Sequence, residues 1–317
     1  MFEKIYDKIE KANSIVIFGH ENPDGDCYGS EIGLKDAIIS TWPNKKVYAI
    51  GTGLPYLFNR LGKMDQVSDK IIENSLAFVV DFNIISRAED KRISLAKDFV
   101  KIDHHISPSE FKEGIEVKDT TSSSSAQLIL EFVEESKMKL TKNGAEALFV
   151  GLVMDTGRFL FLEQDARSFI TASKLVKYGV DTKSLYNLMY QTEESAIALK
   201  GFIYSNYKKT KDGVIYLVLE DKTIKHFNMT SNEAAGSVNL LSNIKGYPIW
   251  AFFLDLGNGK MRVELRSGNV PVQPIALKYG GGGHANAAGI SSCEFSYELI
   301  DKIVKDLNDA IINNGGK

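Results

Sequence analysis

Three short apolar runs, each the length of one strand and each closing on acid or imidazole, constrain this chain more than any other feature. Ser14-Ile15-Val16-Ile17-Phe18 ends in Gly19-His20, Ala77-Phe78-Val79-Val80 ends in Asp81, and Phe99-Val100-Lys101-Ile102 ends in Asp103-His104-His105. Short apolar runs rich in β-branched residues, with helical patterns between them, are the mark of strands covered on both faces. Residues 46–50 read as a further strand, and helical patterns occupy 27–39, 124–136, 143–154 and 165–178. The alternation predicts an α/β fold with a doubly wound, mainly parallel sheet. In such sheets ligands bind outside the carboxyl ends of the strands, where these acids and imidazoles fall.

At 317 residues the chain calls for two domains rather than one core. A second pattern does begin near residue 200. Strands are expected over 201–207, 214–220, 249–255 and 262–266, with hairpin turns at Asp212-Gly213 and Gly257-Asn258-Gly259. Helices near 231–242 and 296–313 complete a smaller α+β domain. The expected division is a domain over 1–185, a connector over 186–200 and a second domain over 201–317, with the active-site cleft between the two domains. A hydrophobic content of 44% with 25% charged residues excludes disorder. Two cysteines, Cys27 and Cys293, exclude a disulfide scaffold and suit a reducing cytoplasm. No apolar run approaches the ~18 residues of a membrane span, and the first residues read as a surface helix rather than a signal peptide. A net charge of −3 argues against binding long duplex nucleic acid.

The first run continues as His20-Glu21-Asn22-Pro23-Asp24-Gly25-Asp26-Cys27 and opens a helix, so a tight turn brings His20, Asp24 and Asp26 together. Gly29 is expected to let that helix pack closely on the sheet. A fourth run, Gly151 to Arg158, places Asp155 at the end of an apolar helix. If the segments converge, Asp24, Asp26, Asp81, Asp103 and Asp155 share one pocket, and like charges at that density demand cations. A two-metal centre answers the demand. Oxygen and nitrogen donors without a cysteine cluster favour Mn²⁺, with Mg²⁺, Co²⁺ or Zn²⁺ as substitutes. Cys27 is assigned to packing. The run Thr120–Ser125 is read as a helix N-cap region rather than a linker.

A second constellation lies near the carboxyl end. Gly280–Gly283 followed by His284 reads as a backbone nest for an anion, in which Gly281, Gly282 and Gly283 approach a phosphate and His284 pairs with it. Arg262 and Arg266, four apart on one strand and therefore on one face, are candidates to grip phosphate, with Ser267 beside them. Arg158 is a further candidate. A surface ion pair is the alternative for each arginine, and His226 is assigned to a surface or helix end.

The motifs His20-x3-Asp24-x-Asp26-x2-Gly29-Ser30, Asp81, Asp103-His104-His105 and Asp155-Thr156-Gly157-Arg158, in that order, resemble those of the DHH phosphoesterase superfamily. The glycine run through Gly289 resembles the signature of the DHH-associated C-terminal domain, so the likeness covers almost the whole chain. Within the superfamily the chain is most similar to the cytoplasmic nanoRNase and pAp phosphatase type. The resemblance implies a Mn²⁺-dependent hydrolase that cuts short single-stranded oligoribonucleotides to mononucleotides and converts 3′-phosphoadenosine 5′-phosphate (pAp) to AMP. It implies one metal on His20 and Asp24, a second on Asp26, His104 and Asp155, and Asp81 bridging. His105 would stand at the scissile phosphate, and Asp103 would orient the histidines. By analogy it also allows a homodimer. Two other readings stay open: a phosphodiesterase of linear dinucleotides from cyclic-di-AMP turnover, and a non-catalytic nucleotide sensor. The second motif reads Asp81-Phe82-Asn83, a departure from the family's usual Asp-Thr-Ala, and it bears on substrate preference.

Overall fold

The structure, a computed structural model, describes residues 2–161, 166–191 and 194–314, apart from the side chain of Ser195. It divides into two compact units, 1–191 and 192–317. The first unit contains α1 (Phe2–Lys11), β1 (Ser14–Phe18), α2 (Gly25–Thr41), β2 (Lys46–Ile50), α3 (Phe58–Leu61), α4 (Asp69–Glu73), β3 (Leu76–Val80), β4 (Asp98–Asp103) and β5 (Ile115–Lys118). It continues through α5 (Ser125–Glu135), α6 (Lys142–Asp155), α7 (Ala166–Lys177) and α8 (Thr182–Met189).

The five strands form one sheet in the order β2-β1-β3-β4-β5, and all pairs are parallel. Alternate residues feed opposite faces. Ile15, Ile17, Phe78, Val80, Val100 and Ile102 join the core built with α2, α5 and α6, while Val16, Phe18, Ala77 and Val79 pack with Ile72 and Ile93 on the other side. Both faces are buried, as the uninterrupted apolar runs require. β1 sits between β2 and β3, so the direction of winding reverses at the β1/β3 pair. The crevice at such a switch point is the ligand site of open α/β sheets. Asp81 follows β3 directly, and His20 stands two residues past the end of β1.

The second unit contains α9 (Glu194–Asn206), β6 (Lys208–Lys209), β7 (Val214–Leu219), α10 (Asp221–His226), α11 (Ser231–Gly236), β8 (Ile249–Asp255), β9 (Lys260–Ser267), α12 (Gln273–Lys278), β10 (Gly282–His284), β11 (Ala287–Glu294) and α13 (Tyr297–Asn313). Its mixed sheet runs β10-β11-β9-β8-β7-β6, with β7 and β8 the parallel pair. Ile300, Ile303, Val304 and Leu307 of α13 cover one face, and Leu199 and Ile203 of α9 cover the other with Ala234 and Ala235.

Three expectations are corrected here. Residues 201–207 were expected as a strand, but 194–206 are helical because Leu199 and Ile203, one turn apart, both seat against the sheet. The connector expected over 186–200 is instead shared between the units. Leu185 and Met189 of α8 are buried in the first core and Leu199 in the second, while residues 192–193 lie outside the described residues. Gly29 packs not on the sheet but on α6: a Cβ there would lie 2.3 Å from the carbonyl oxygen of Ala147 and 2.9 Å from the amide of Gly151. The glycine run, read as a backbone nest for an anion, also carries β10, paired antiparallel with β11. A Cβ at Gly281 would lie 2.2 Å from the Gly289 carbonyl, so strand packing alone already requires glycine there. No helix among the described residues is long and apolar enough to cross a membrane.

Candidate metal centre and phosphate pocket

Asp24 caps α2 and its Oδ1 accepts hydrogen bonds from the amides of Asp26 and Cys27, both at 3.0 Å. This turn sets His20 Nε2 3.9 Å from Asp24 and 3.4 Å from Asp81, while Nδ1 lies 2.9 Å from the Glu21 carbonyl. Asp81 holds a positive φ of 65°, an uncommon conformation that turns its carboxylate across the strand ends. His104 Nε2 lies 3.5 Å from Asp81, 3.4 Å from Asp155 and 3.9 Å from Asp26. Three groups of donors therefore converge: His20, Asp24 and Asp81; Asp26, His104 and Asp155; and Asp81, His104 and His105, each group within 4.8 Å. Asp81 belongs to two of them.

Electrostatics alone shows the cluster lacking positive charge. Burial, then the charges of Asp81 and Asp155, push the Asp26 carboxyl up. Burial is also the largest influence on Asp155, pushed up to about 7 with the help of Asp81 and Asp24. Burial opposes charge on His104, but its hydrogen bond with Asp81 and the nearby carboxylates outweigh it and raise its pKa to about 9. Burial likewise works against charge on His20, and Asp81 reverses it, leaving its pKa raised. The same histidines hold Asp81 well below its ordinary value against the effect of burial. Protons are thus held where cations would sit. Imidazole and carboxylate donors without a thiolate suit a borderline or hard divalent ion, so the residues present fit a metal centre.

The remaining expected residues separate into distinct places. Asp103 is fully buried and is not among the candidate metal donors. Its Oδ1 accepts from His105 Nδ1 at 2.8 Å, and Lys101 Nζ lies 3.2 Å from Oδ2. Burial would raise the Asp103 carboxyl, but the His105 hydrogen bond and the Lys101 charge outweigh it and hold it low. Arg158 is exposed, three residues beyond Asp155, with its guanidinium 4.8 Å from the Tyr190 ring. Cys27 is buried, and its sulfur accepts the His20 amide.

In the second unit, Arg262, Arg266 and Gly280–Gly283 line an open pocket of about 560 Å³. Both arginines also pair with Glu264 between them, at 2.6 and 3.0 Å, so they share one face, and the acid they pair with is buried rather than on the surface. His284 is exposed at the end of β10 and does not line this pocket. Ser267 is buried, and its hydroxyl donates to the Val270 carbonyl at 2.5 Å, so it does not join the arginines.

Several supporting residues escape the motif pattern. The amides of Ser125 and Ala126 donate to Asp26 at 2.6 and 2.9 Å, and Ser125 Oγ donates to Asp81 at 3.0 Å. The start of α5 thus braces two of the central carboxylates, a natural use of the positive end of a helix. The signal was present in the Thr120–Ser125 run, since Ser124 does cap α5 through the Gln127 amide at 3.1 Å.

Residues 14–152 match the model of the DHH family, N-terminal domain, and residues 211–313 match the DHHA1 domain. The chain is 34% identical to a Streptococcus mutans protein named probable bifunctional oligoribonuclease and PAP phosphatase NrnA, over 98% of this chain and 99% of that one. It is also 34% identical to the bifunctional oligoribonuclease and PAP phosphatase NrnA of Bacillus subtilis, over 94% and 95% of the two chains. Among solved structures, an exopolyphosphatase-related protein from Bacteroides fragilis superposes with a TM-score of 0.86 at 26% identity, covering 98% of this chain and 96% of that one.

Proposed function

The chain belongs to the DHH family, and we propose that it hydrolyses the phosphodiester bonds of short oligoribonucleotides and removes the 3′-phosphate of pAp. Hydrolysis of phosphoester bonds is the reaction class shared by the named relatives that match nearly end to end. The observation that carries the reading is a pair of donor groups, one with His20 and Asp24 and one with Asp26, His104 and Asp155, with Asp81 3.4 Å from His20 and 3.5 Å from His104.

We assign His20 and Asp24 to one Mn²⁺, and Asp26, His104 and Asp155 to the other, with Asp81 between them. Ions held there supply Lewis-acid stabilisation of the phosphoryl oxygens and a water of lowered pKa. The chain's own part is positional. α5 fixes Asp26 and Asp81, and the Asp24 cap fixes the turn that presents His20. His105, held through Nδ1, offers Nε2 to the oxygen that leaves. Arg262, Arg266 and the glycine-lined pocket take the terminal phosphate of the substrate, which favours short chains presenting an end. The cytoplasm is the compartment that suits this substrate class.

A product time course with Mn²⁺ on end-labelled RNA of two to five nucleotides, beside pAp, a linear dinucleotide and polyphosphate, tests the proposal. Mononucleotides and AMP are expected from the wild type, with no turnover by Asp81→Ala. Turnover retained in that variant at saturating Mn²⁺ overturns the metal assignment, and binding without turnover in the wild type revives a sensor.

A further inference from the structure

Lys101 is the least expected residue in the first unit. It lies in β4 between Val79 of β3 and Glu116 of β5, in a sheet whose faces are both covered, and it is 1% exposed. Desolvating an ammonium inside a parallel sheet is costly unless it is paired there, and an apolar residue would fill the position at less cost. The ammonium donates a hydrogen bond to Glu116 at 2.7 Å and forms an ion pair, without a hydrogen bond, with Asp103 Oδ2 at 3.2 Å. Asp103 itself is fully buried and turns its other oxygen to His105 Nδ1 at 2.8 Å. Residues 101 and 103 share a sheet face, so ammonium, carboxylate and imidazole follow one another from the sheet interior to the ring beside Asp81.

We propose that Lys101 is a positioning residue for phosphoester hydrolysis, holding Asp103 so that Asp103 fixes His105 with Nδ1–H inward and Nε2 toward the leaving oxygen. This rests on the hydrolytic reading above. In the step concerned, water adds to phosphorus as the P–O bond to the leaving group breaks, and the Nε2 proton passes to that oxygen. The ring, an imidazolium before the step, is left as neutral Nδ1–H imidazole, and the water's proton then returns to Nε2. A carboxylate with a fixed cation on one oxygen presents the other in one direction, and a buried carboxylate without that cation has no such constraint.

The leaving group supplies the test. A ribonucleoside alkoxide needs the proton, whereas p-nitrophenolate leaves without it. Lys101→Met should lower kcat on pAp and dinucleotides by about 10- to 100-fold, with KM and Mn²⁺ affinity unchanged, while hydrolysis of bis-p-nitrophenyl phosphate moves less than about threefold. Nitrogen NMR of histidine-labelled, Mg²⁺-loaded protein should show the Nδ1–H form of His105 lost or mixed in the variant. Equal losses on both substrates, or an unchanged His105 signal, overturn the proposal. Lys101→Met leaves a charge buried, so Asp103→Asn and the neutral pair Lys101→Met/Asp103→Asn are compared as well. Matching activity in these two is expected if Lys101 acts through Asp103, and a further tenfold loss in the pair refutes it. A wild type that cleaves none of these esters contradicts the hydrolytic reading itself, a result distinct from failure of the Lys101 assignment.

Discussion

Replacing Ser125 with alanine removes one atom from the centre and leaves the backbone amides of α5 in place. The lost hydroxyl donates to Asp81 Oδ1 at 3.0 Å, and Asp81 is 2% exposed, so no solvent replaces the bond. A buried hydrogen bond to a charged group contributes about 1.5–3 kcal/mol. At about 1.4 kcal/mol per decade this corresponds to metal binding weakened roughly 10- to 100-fold. The same range is typical when a partner behind a metal ligand is removed. Asp81 lies 3.4 Å from His20 and 3.5 Å from His104, residues assigned to different ions, so both ions should be affected. The bonds from the Ser125 and Ala126 amides to Asp26 persist, which keeps the effect well short of abolition. Titration of metal-free protein with Mn²⁺, following free ion by electron paramagnetic resonance, gives both affinities. Urea unfolding in chelator checks that the fold is retained. Unchanged affinity, or a loss confined to one ion, would refute the reasoning that the hydroxyl acts on a shared carboxylate.

Other perturbations follow from packing and charge. Gly29→Ala drives a methyl to 2.3 Å from a backbone oxygen of α6, and should cost about 1–3 kcal/mol or more in urea unfolding. Arg60 makes a two-pronged pair with buried Glu146, at 2.6 and 2.7 Å. Arg60→Met should therefore destabilise by about 3 kcal/mol, and Arg60→Met/Glu146→Leu should regain most of it in thermal melts. Asp119 works against burial through bonds to Thr121 and Arg167, which lower its pKa from 3.8 to about 2. A depressed folded-state pKa contributes stability above 3.8 that is lost as pH falls toward 2. Asp119→Asn should therefore show a flatter decline than wild type in urea midpoints measured at pH 5, 4 and 3.

The first sheet was legible because a strand buried on both faces must be apolar, and β1 and β3 are nearly so, while β4 keeps Phe99, Val100 and Ile102 at its centre. Lys101 breaks the run within β4, and the exception became meaningful only beside Asp103 and Glu116. β5 was missed, its four residues mixing Glu116 and Lys118 with two aliphatics. The mistaken strand at 201–207 shows the same limit from the other side. Its apolar residues suit either period, and only the sheet face awaiting Leu199 and Ile203 decides for a helix.

The sequence by itself determined which residues could carry chemistry, because Asp and His at successive strand ends have few other reasons to recur there. Tertiary structure alone decided how they are held: the winding reversal at β1/β3 gathers them, α5 supplies amides to Asp26, and Ser267 is turned into its own loop rather than toward Arg266. Convergence of groups a hundred residues apart is a property of strand order and register, and the pairing energies that set these lie between segments rather than within any one of them.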